Sequence, residues 1–216
     1  MNYFAHGCRF VGDPYFLAGT AVPDWLSIVD RRVRVRARGT QPFATDDDPR
    51  VAAVARGILQ HLADDDWFHQ TPAFHELNVR FTGELRQVLA DDEGYRPAFL
   101  GHILVEILLD AVLIDAEPER LEGYYATLLE VDPQLVEQTV NRIAANSTDR
   151  LASLLPRFIT ERFLFDYLDD ARLLHRLNQV MRRVNLSPLP ERLLSFLPIA
   201  RHAVCERKEA LLREET

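Results

Sequence analysis

Lysine is almost missing from this chain. Lys208 is the only one, and arginine supplies the rest of the 25 basic residues, which face 33 acidic ones. The resulting net charge of −8 argues against a general nucleic-acid binder, because neutralising phosphates requires a basic surface. Cysteine is scarce as well: Cys8 and Cys205 lie near opposite ends. That is too few for a disulfide framework, and the sequence leaves open whether the two meet. Nine glycines in 216 residues are few for a many-turned β fold, and most of the twelve prolines fall between apolar periodic segments rather than inside them. No uninterrupted apolar run reaches the roughly 18 residues of a membrane span. The opening MNYFAHGCRF has no cationic leader followed by a long apolar stretch. The expectation from these absences is a cytoplasmic protein without a transmembrane segment.

Hydrophobic residues make up 47% of the chain, enough for a substantial core. The apolar spacing predicts an all-α, compact multi-helix bundle, organised as one domain over 1–216. Helices are expected at about 1–9, 15–30, 49–66, 71–90, 98–114, 118–131, 133–144, 147–166, 171–183 and 190–214, several opening on a proline. The stretch 98–114 is strongly apolar and expected to be buried all round. The loop DDEGYRP precedes it, and Asp46 to Asp48 are candidate N-cap residues ahead of the helix at 49. One segment breaks the helical pattern. In Arg31–Gly39 the charges of Arg31, Arg32, Arg34, Arg36 and Arg38 alternate with Val33, Val35 and Ala37, a period of two that suits an extended piece. It reads either as a positive surface that steers an acidic partner or phosphate group, or as a charged segment guarding an exposed strand edge.

Three constellations carry chemistry. In GILQHLADDDWFH, residues four apart share a helix face, so His61 and Asp65 point together, and His69 extends the row if the helix lasts. Imidazole with carboxylate suits Mn, Fe or Zn; the alternative is a solvated acidic face, with Asp64, Asp65 and Asp66 exposed or capping. In the apolar helix, His102, Glu106 and Asp110 follow one another at four-residue steps. Buried ionised groups need a partner or a metal, and the alternative here is a salt bridge to Arg162 or Arg80. Near the start, His6 and Asp24 are each weak alone: a core histidine, and a cap after Pro23. His75, His175 and His202 read as surface or packing residues. Tyr167, Arg172, Arg176, Arg182 and Arg183 read as a solvated face or a phosphate-binding one. No Gly-rich phosphate loop, GxSxG elbow, CxxC pair or HExxH motif is present.

Taken in order, these pieces resemble the acyl carrier protein phosphodiesterase family, a distant helical relative of the HD-domain phosphohydrolases. MNYFAH matches the family's MNFLAH opening. GTAVPDW keeps Gly19 and Asp24 of a GNxxADF segment. GILQHLADDDWFH keeps Gly57, Ile58, His61 and Asp65 of GIxxHRxxDxxTD, with His69 in place of the last acid. EILLDAVL keeps Asp110 of DxxYDHFL, with Glu106 for its first acid and Ala111 for its histidine. LPRFITERFLFDYLDDARLLHRLNQVMRRV looks like the family's stretch that ends in a double-arginine helix. The likeness runs along nearly the whole chain.

The resemblance implies an HD-like helical fold and a divalent metal, manganese foremost and iron or zinc otherwise, held by His6, Asp24, His61, Asp65 and Asp110. It implies hydrolysis of the phosphodiester that joins phosphopantetheine to a carrier-protein serine, with an acidic acyl carrier protein or a small phosphodiester as partner. His69, His102 and Glu106 are the candidates for general base or orienting roles, and His102 for replacing the imidazole lost at Ala111. Two other readings remain. One is a metal-dependent hydrolase of another small phosphoester or phospholipid head group. The other is a non-catalytic helical interaction protein that keeps the fold.

Overall fold

The structure, a computed structural model, describes residues 1–90 and 94–212. It is all-α, with no strand among the described residues. By contact the chain groups into two compact units. The first comprises Asn2–Asp66 and Glu117–Arg162, the second Met1, Trp67–Ala116 and Phe163–Thr216.

In the first unit α1 (Tyr3–Gly7) leads through a 3-10 turn to α2 (Pro14–Val29). Asp13 caps α2 by accepting from the Phe16 amide, and Pro14 occupies the first turn, where no amide hydrogen is needed. Pro23 and Asp24 lie inside α2, so Asp24 is not a cap. After α3 (Ala37–Thr40) comes α4 (Pro49–Phe68), whose last two residues are counted with the second unit. The crossing of α2 and α4 is set by glycine. A Cβ on Gly19 would lie 2.3 Å from the Val54 carbonyl oxygen, and one on Gly57 would lie 2.2 Å from that of Phe16. The two backbones touch, which carries the face of α2 bearing Thr20 against the face of α4 bearing His61. The unit is completed by α7 (Pro118–Leu128), α8 (Pro133–Ile143) and α9 (Leu151–Glu161). Its core includes Phe4, Leu17, Trp25, Ile58 and Tyr124.

Arg31–Gly39 forms no strand. The period of two survives as burial, since Val33 and Val35 are inside while Arg31, Arg32, Arg34, Arg36 and Arg38 are exposed. With no partner strand to complete a ladder, the segment stays extended and then enters α3, so the reading as a guarded strand edge is set aside. The helix expected over 147–166 is also shorter. It ends at Glu161, and Arg162 takes a left-handed conformation with φ 46° before a 3-10 turn over Phe163–Leu168.

In the second unit α5 (Pro72–Val88) packs along α6 (Pro97–Ala116), with α10 (Asp170–Arg183) and α11 (Leu197–Leu212) completing the bundle. Thr71 caps α5 through the Phe74 amide. Of the loop expected before α6, residues 91–93 lie outside the described residues, as does the end expected for the last helix at 214. That last helix begins later than expected: Glu191–Ser195 is a separate 3-10 turn. Among the described residues, α6 alone is long and apolar enough to cross a membrane. Its most apolar window is only 56% buried within the fold, so the helix is not buried all round as expected: Ala98 is exposed, and His102 and Glu106 are partly exposed on one face.

Candidate metal centre

His6, His61 and Asp65 of the first unit bring one ligand atom each within 4.8 Å of one another. His61 sits on α4, where its Nδ1–H donates to the Thr20 carbonyl at 2.7 Å. That bond places a proton on Nδ1 and leaves Nε2 facing Asp65 Oδ2 at 3.3 Å. His6, fully buried on α1, repeats the arrangement. Its Nδ1 lies 3.4 Å from Asp64 Oδ2, and its Nε2 lies 3.2 Å from the other Asp65 oxygen without an aligned hydrogen bond. The two rings stack with centroids 3.9 Å apart and planes inclined by 24°. Asp65 therefore receives one imidazole nitrogen on each oxygen.

Behind His6 stands a second layer. Arg9 reaches both Asp64 oxygens at 3.1 Å, and Gln60 donates to Oδ1 at 2.8 Å. Burial works to raise the Asp64 carboxyl, but hydrogen bonds from His6 and Gln60 and the Arg9 charge hold it below the usual range. This residue was read in the sequence only as part of an acidic run. Asp66 is exposed as that reading expects, whereas Asp64 is buried.

Burial drives the Asp24 carboxyl up, against the lowering influence of His61 and His6. Its Oδ2 is buried with no hydrogen-bond partner. For Asp65, burial pushes up while His6 and His61 pull the carboxyl far below its ordinary value. For His61, burial pushes down while Asp65 and Asp24 carry the ring upward. His6, His61 and Asp65 together offer two imidazole nitrogens and a carboxylate oxygen around one point, beside the internally paired Asp64–Arg9 couple. A mixed set of two nitrogens and a carboxylate oxygen suits a divalent ion.

The second unit holds another convergence. α4 ends at Phe68, so His69 leaves the row begun by His61 and Asp65. Its Nε2 lies 2.8 Å from Glu106 Oε1, and His102 Nε2, one turn away on α6, lies 3.3 Å from the same oxygen. The Met1 amino group is 3.4 Å from it. Burial would raise the Glu106 carboxyl, but the amino group with His102 and His69 brings it down to about 2. Of the arginines considered for this stripe, Arg80 pairs with Glu84 at 3.1 Å and Arg162 pairs with Glu122. Asp110, also in this unit, is fully buried on α6 and is not a donor of this cluster.

The remaining candidates divide between surface and structure. His75, His175 and His202 are exposed. Arg172 and Arg176 pair with Asp166 at 3.5 and 2.7 Å, and Tyr167 is buried, so much of that helical region is occupied internally. Arg32 pairs with Asp30 at 2.9 Å. Cys8 and Cys205 form no disulfide. In comparison with known proteins, no family model, curated protein or solved structure matches this chain.

Proposed function

We propose that the protein is a metal-dependent phosphodiester hydrolase whose divalent ion is held by His6, His61 and Asp65, with Asp24 as the fourth ligand. The observation that carries this reading is the pair of oriented imidazoles. Each has its Nδ1 engaged and its Nε2 directed at one carboxylate, an arrangement characteristic of metal-ligating histidines. The buried, partnerless Asp24 Oδ2 fits the same ion. When bound, a divalent ion there supplies Lewis acidity, which makes a water nucleophilic near neutral pH and offsets charge on phosphoryl oxygens. Thr20 and Asp64 keep the two rings in the ligating tautomer, and Arg9 and Gln60 keep Asp64 charged and in place. The manganese preference and the phosphopantetheine–carrier substrate rest on the family resemblance.

Arg34, Arg36 and Arg38 are exposed and make no ion pair among the described residues. They suit an acidic carrier protein as partner, steering it electrostatically. The test begins with elemental mass spectrometry of tag-free, chelator-free protein, wild type beside Asp65→Ala. It continues with hydrolysis of a phosphopantetheinylated carrier protein and of a small aryl phosphodiester. A near-stoichiometric ion lost in the variant, with turnover of the carrier substrate, is the expected result. Turnover of the small diester alone points to another phosphoester or a phospholipid head group. A protein that neither carries nor takes up manganese, iron or zinc removes the hydrolase reading. Reversing Arg34 and Arg36 to glutamate should raise KM for the carrier protein in a salt-sensitive way and leave kcat unchanged.

A further inference from the structure

We infer that the second unit carries a metal site of its own, formed by His69, His102 and Glu106 and suited to a borderline divalent transition ion, zinc foremost. The proposal does not depend on hydrolase activity in the first unit. Three features support it. First, the donors converge: His69 Nε2 and His102 Nε2 approach a single Glu106 oxygen at 2.8 and 3.3 Å, and all three ligand atoms lie within 4.8 Å of one another. Metal–nitrogen and metal–oxygen bonds of about 2.0–2.2 Å in a tetrahedron put neighbouring donors roughly 3.3–3.5 Å apart, so the atoms need only small shifts to surround an ion.

Second, the rings are held in place. Phe74 presents its ring edge-to-face to both imidazoles, at 4.9 Å from His69 and 5.0 Å from His102, and Phe68 packs against His69 at 5.5 Å. Histidines on a free surface have no such wall. Third, the cluster is accessible. The side chains are 32% exposed for His69, 39% for His102 and 18% for Glu106, so an ion reaches them from solvent and keeps open positions for water or a ligand. Two imidazoles and one carboxylate with an open position is the donor set of exchangeable or catalytic zinc rather than of a closed structural site.

The competing account is a charge cluster in which protonated histidines and the Met1 amino group share Glu106. The experiment separates the two. Co²⁺ is titrated into chelator-stripped Asp65→Ala protein, followed by visible absorption and calorimetry, and then into the same protein carrying His102→Ala as well. About one equivalent in Asp65→Ala, with d–d bands, and binding weakened in the double variant by more than the roughly 10–100-fold loss typical of an orienting residue, is the expected outcome. No cobalt uptake by folded Asp65→Ala protein overturns the proposal. So does a double variant that binds as tightly as its parent. If Asp65→Ala does not fold, wild-type protein is compared with His69→Gln and His102→Gln by equivalents of Co²⁺ bound. The proposal expects one equivalent fewer in each variant, and an unchanged number refutes it.

Discussion

The two histidine–carboxylate clusters use the same residue types in different ways. In the first unit, each imidazole faces its own oxygen of Asp65 from a buried position, and its far nitrogen is tied to Thr20 or Asp64. In the second unit, both imidazoles crowd one oxygen of Glu106 from a partly exposed position, with aromatic rings as their support. Hydrogen-bonded support fixes tautomer and charge, whereas aromatic support fixes only position. The first cluster therefore suits a tightly held ion and the second an exchangeable one.

The largest expected effect tests this difference directly. Asp65→Ala removes the carboxylate that both imidazoles face, and retained metal in the first unit should fall well beyond the roughly 100-fold that loss of an orienting residue causes. Phosphodiesterase activity should fall with it. Glu106→Gln should leave that retained ion in place and affect only cobalt or zinc added from outside. Elemental analysis after gel filtration distinguishes the two. Equal losses in both variants would break the comparison.

The next effect concerns the frames. Gly57→Ala places a Cβ 2.2 Å from a backbone oxygen that no rotamer change can move. Forcing α2 and α4 apart should cost ~2 kcal/mol or more and weaken metal retention, because Thr20 is drawn away from His61. Gly83, in α5 of the second unit, meets nothing within 4 Å. Gly83→Ala should stabilise by about 0.5–1 kcal/mol through helix propensity. Thermal melting of the two variants should move in opposite directions.

How much of this was legible in the sequence follows from the same contrast. Helix starts at Pro14, Pro49, Pro72, Pro97, Pro118 and Pro133 follow from local chemistry, and the all-α class came from apolar spacing. The His61–Asp65 pair was visible because four residues is one helical turn. Asp64 was not: its partner His6 is 58 positions away, and nothing in DDD distinguishes the buried acid from the exposed one. His69 was read as extending the row only if the helix lasted; the helix expected over 49–66 ends at Phe68, so His69 falls outside it. The join with His102 and Glu106 depends on tertiary packing. In Arg31–Gly39 alternation gave the buried Val33 and Val35 but not the exposed Ala37, which opens α3, nor a strand, since a strand requires a partner that periodicity does not reveal.

Asp64 gives the third prediction, a smaller one. Asp64→Asn keeps the shape but removes the charge that Arg9 and Gln60 stabilise and that orients His6. Metal affinity in the first unit should drop by about 10–100-fold, with KM for the diester unchanged. Arg9→Ala should follow in the same direction with a smaller change, because the Arg9 side chain is 57% exposed.

The smallest effect supplies the reference for an arginine–carboxylate pair that orients nothing. Hydrogen bonding from Arg32 holds the Asp30 carboxyl down at about 2. A lowered carboxylate pKa means that the unfolded chain binds the proton first. The pair's contribution is therefore complete above about 4, the ordinary aspartate value. It is lost as the pH falls toward about 2. Asp30→Asn should lower stability slightly at neutral pH, a difference that disappears as the pH falls from about 4 toward about 2, and should leave metal content unchanged. If Asp30→Asn also lowered metal content, loss of charge anywhere in the unit would suffice, and the result for Asp64 would no longer mark it as an orienting residue. If only Asp64→Asn lowers it, the effect belongs to the Arg9–Asp64–His6 chain, the layer of support that the second cluster lacks.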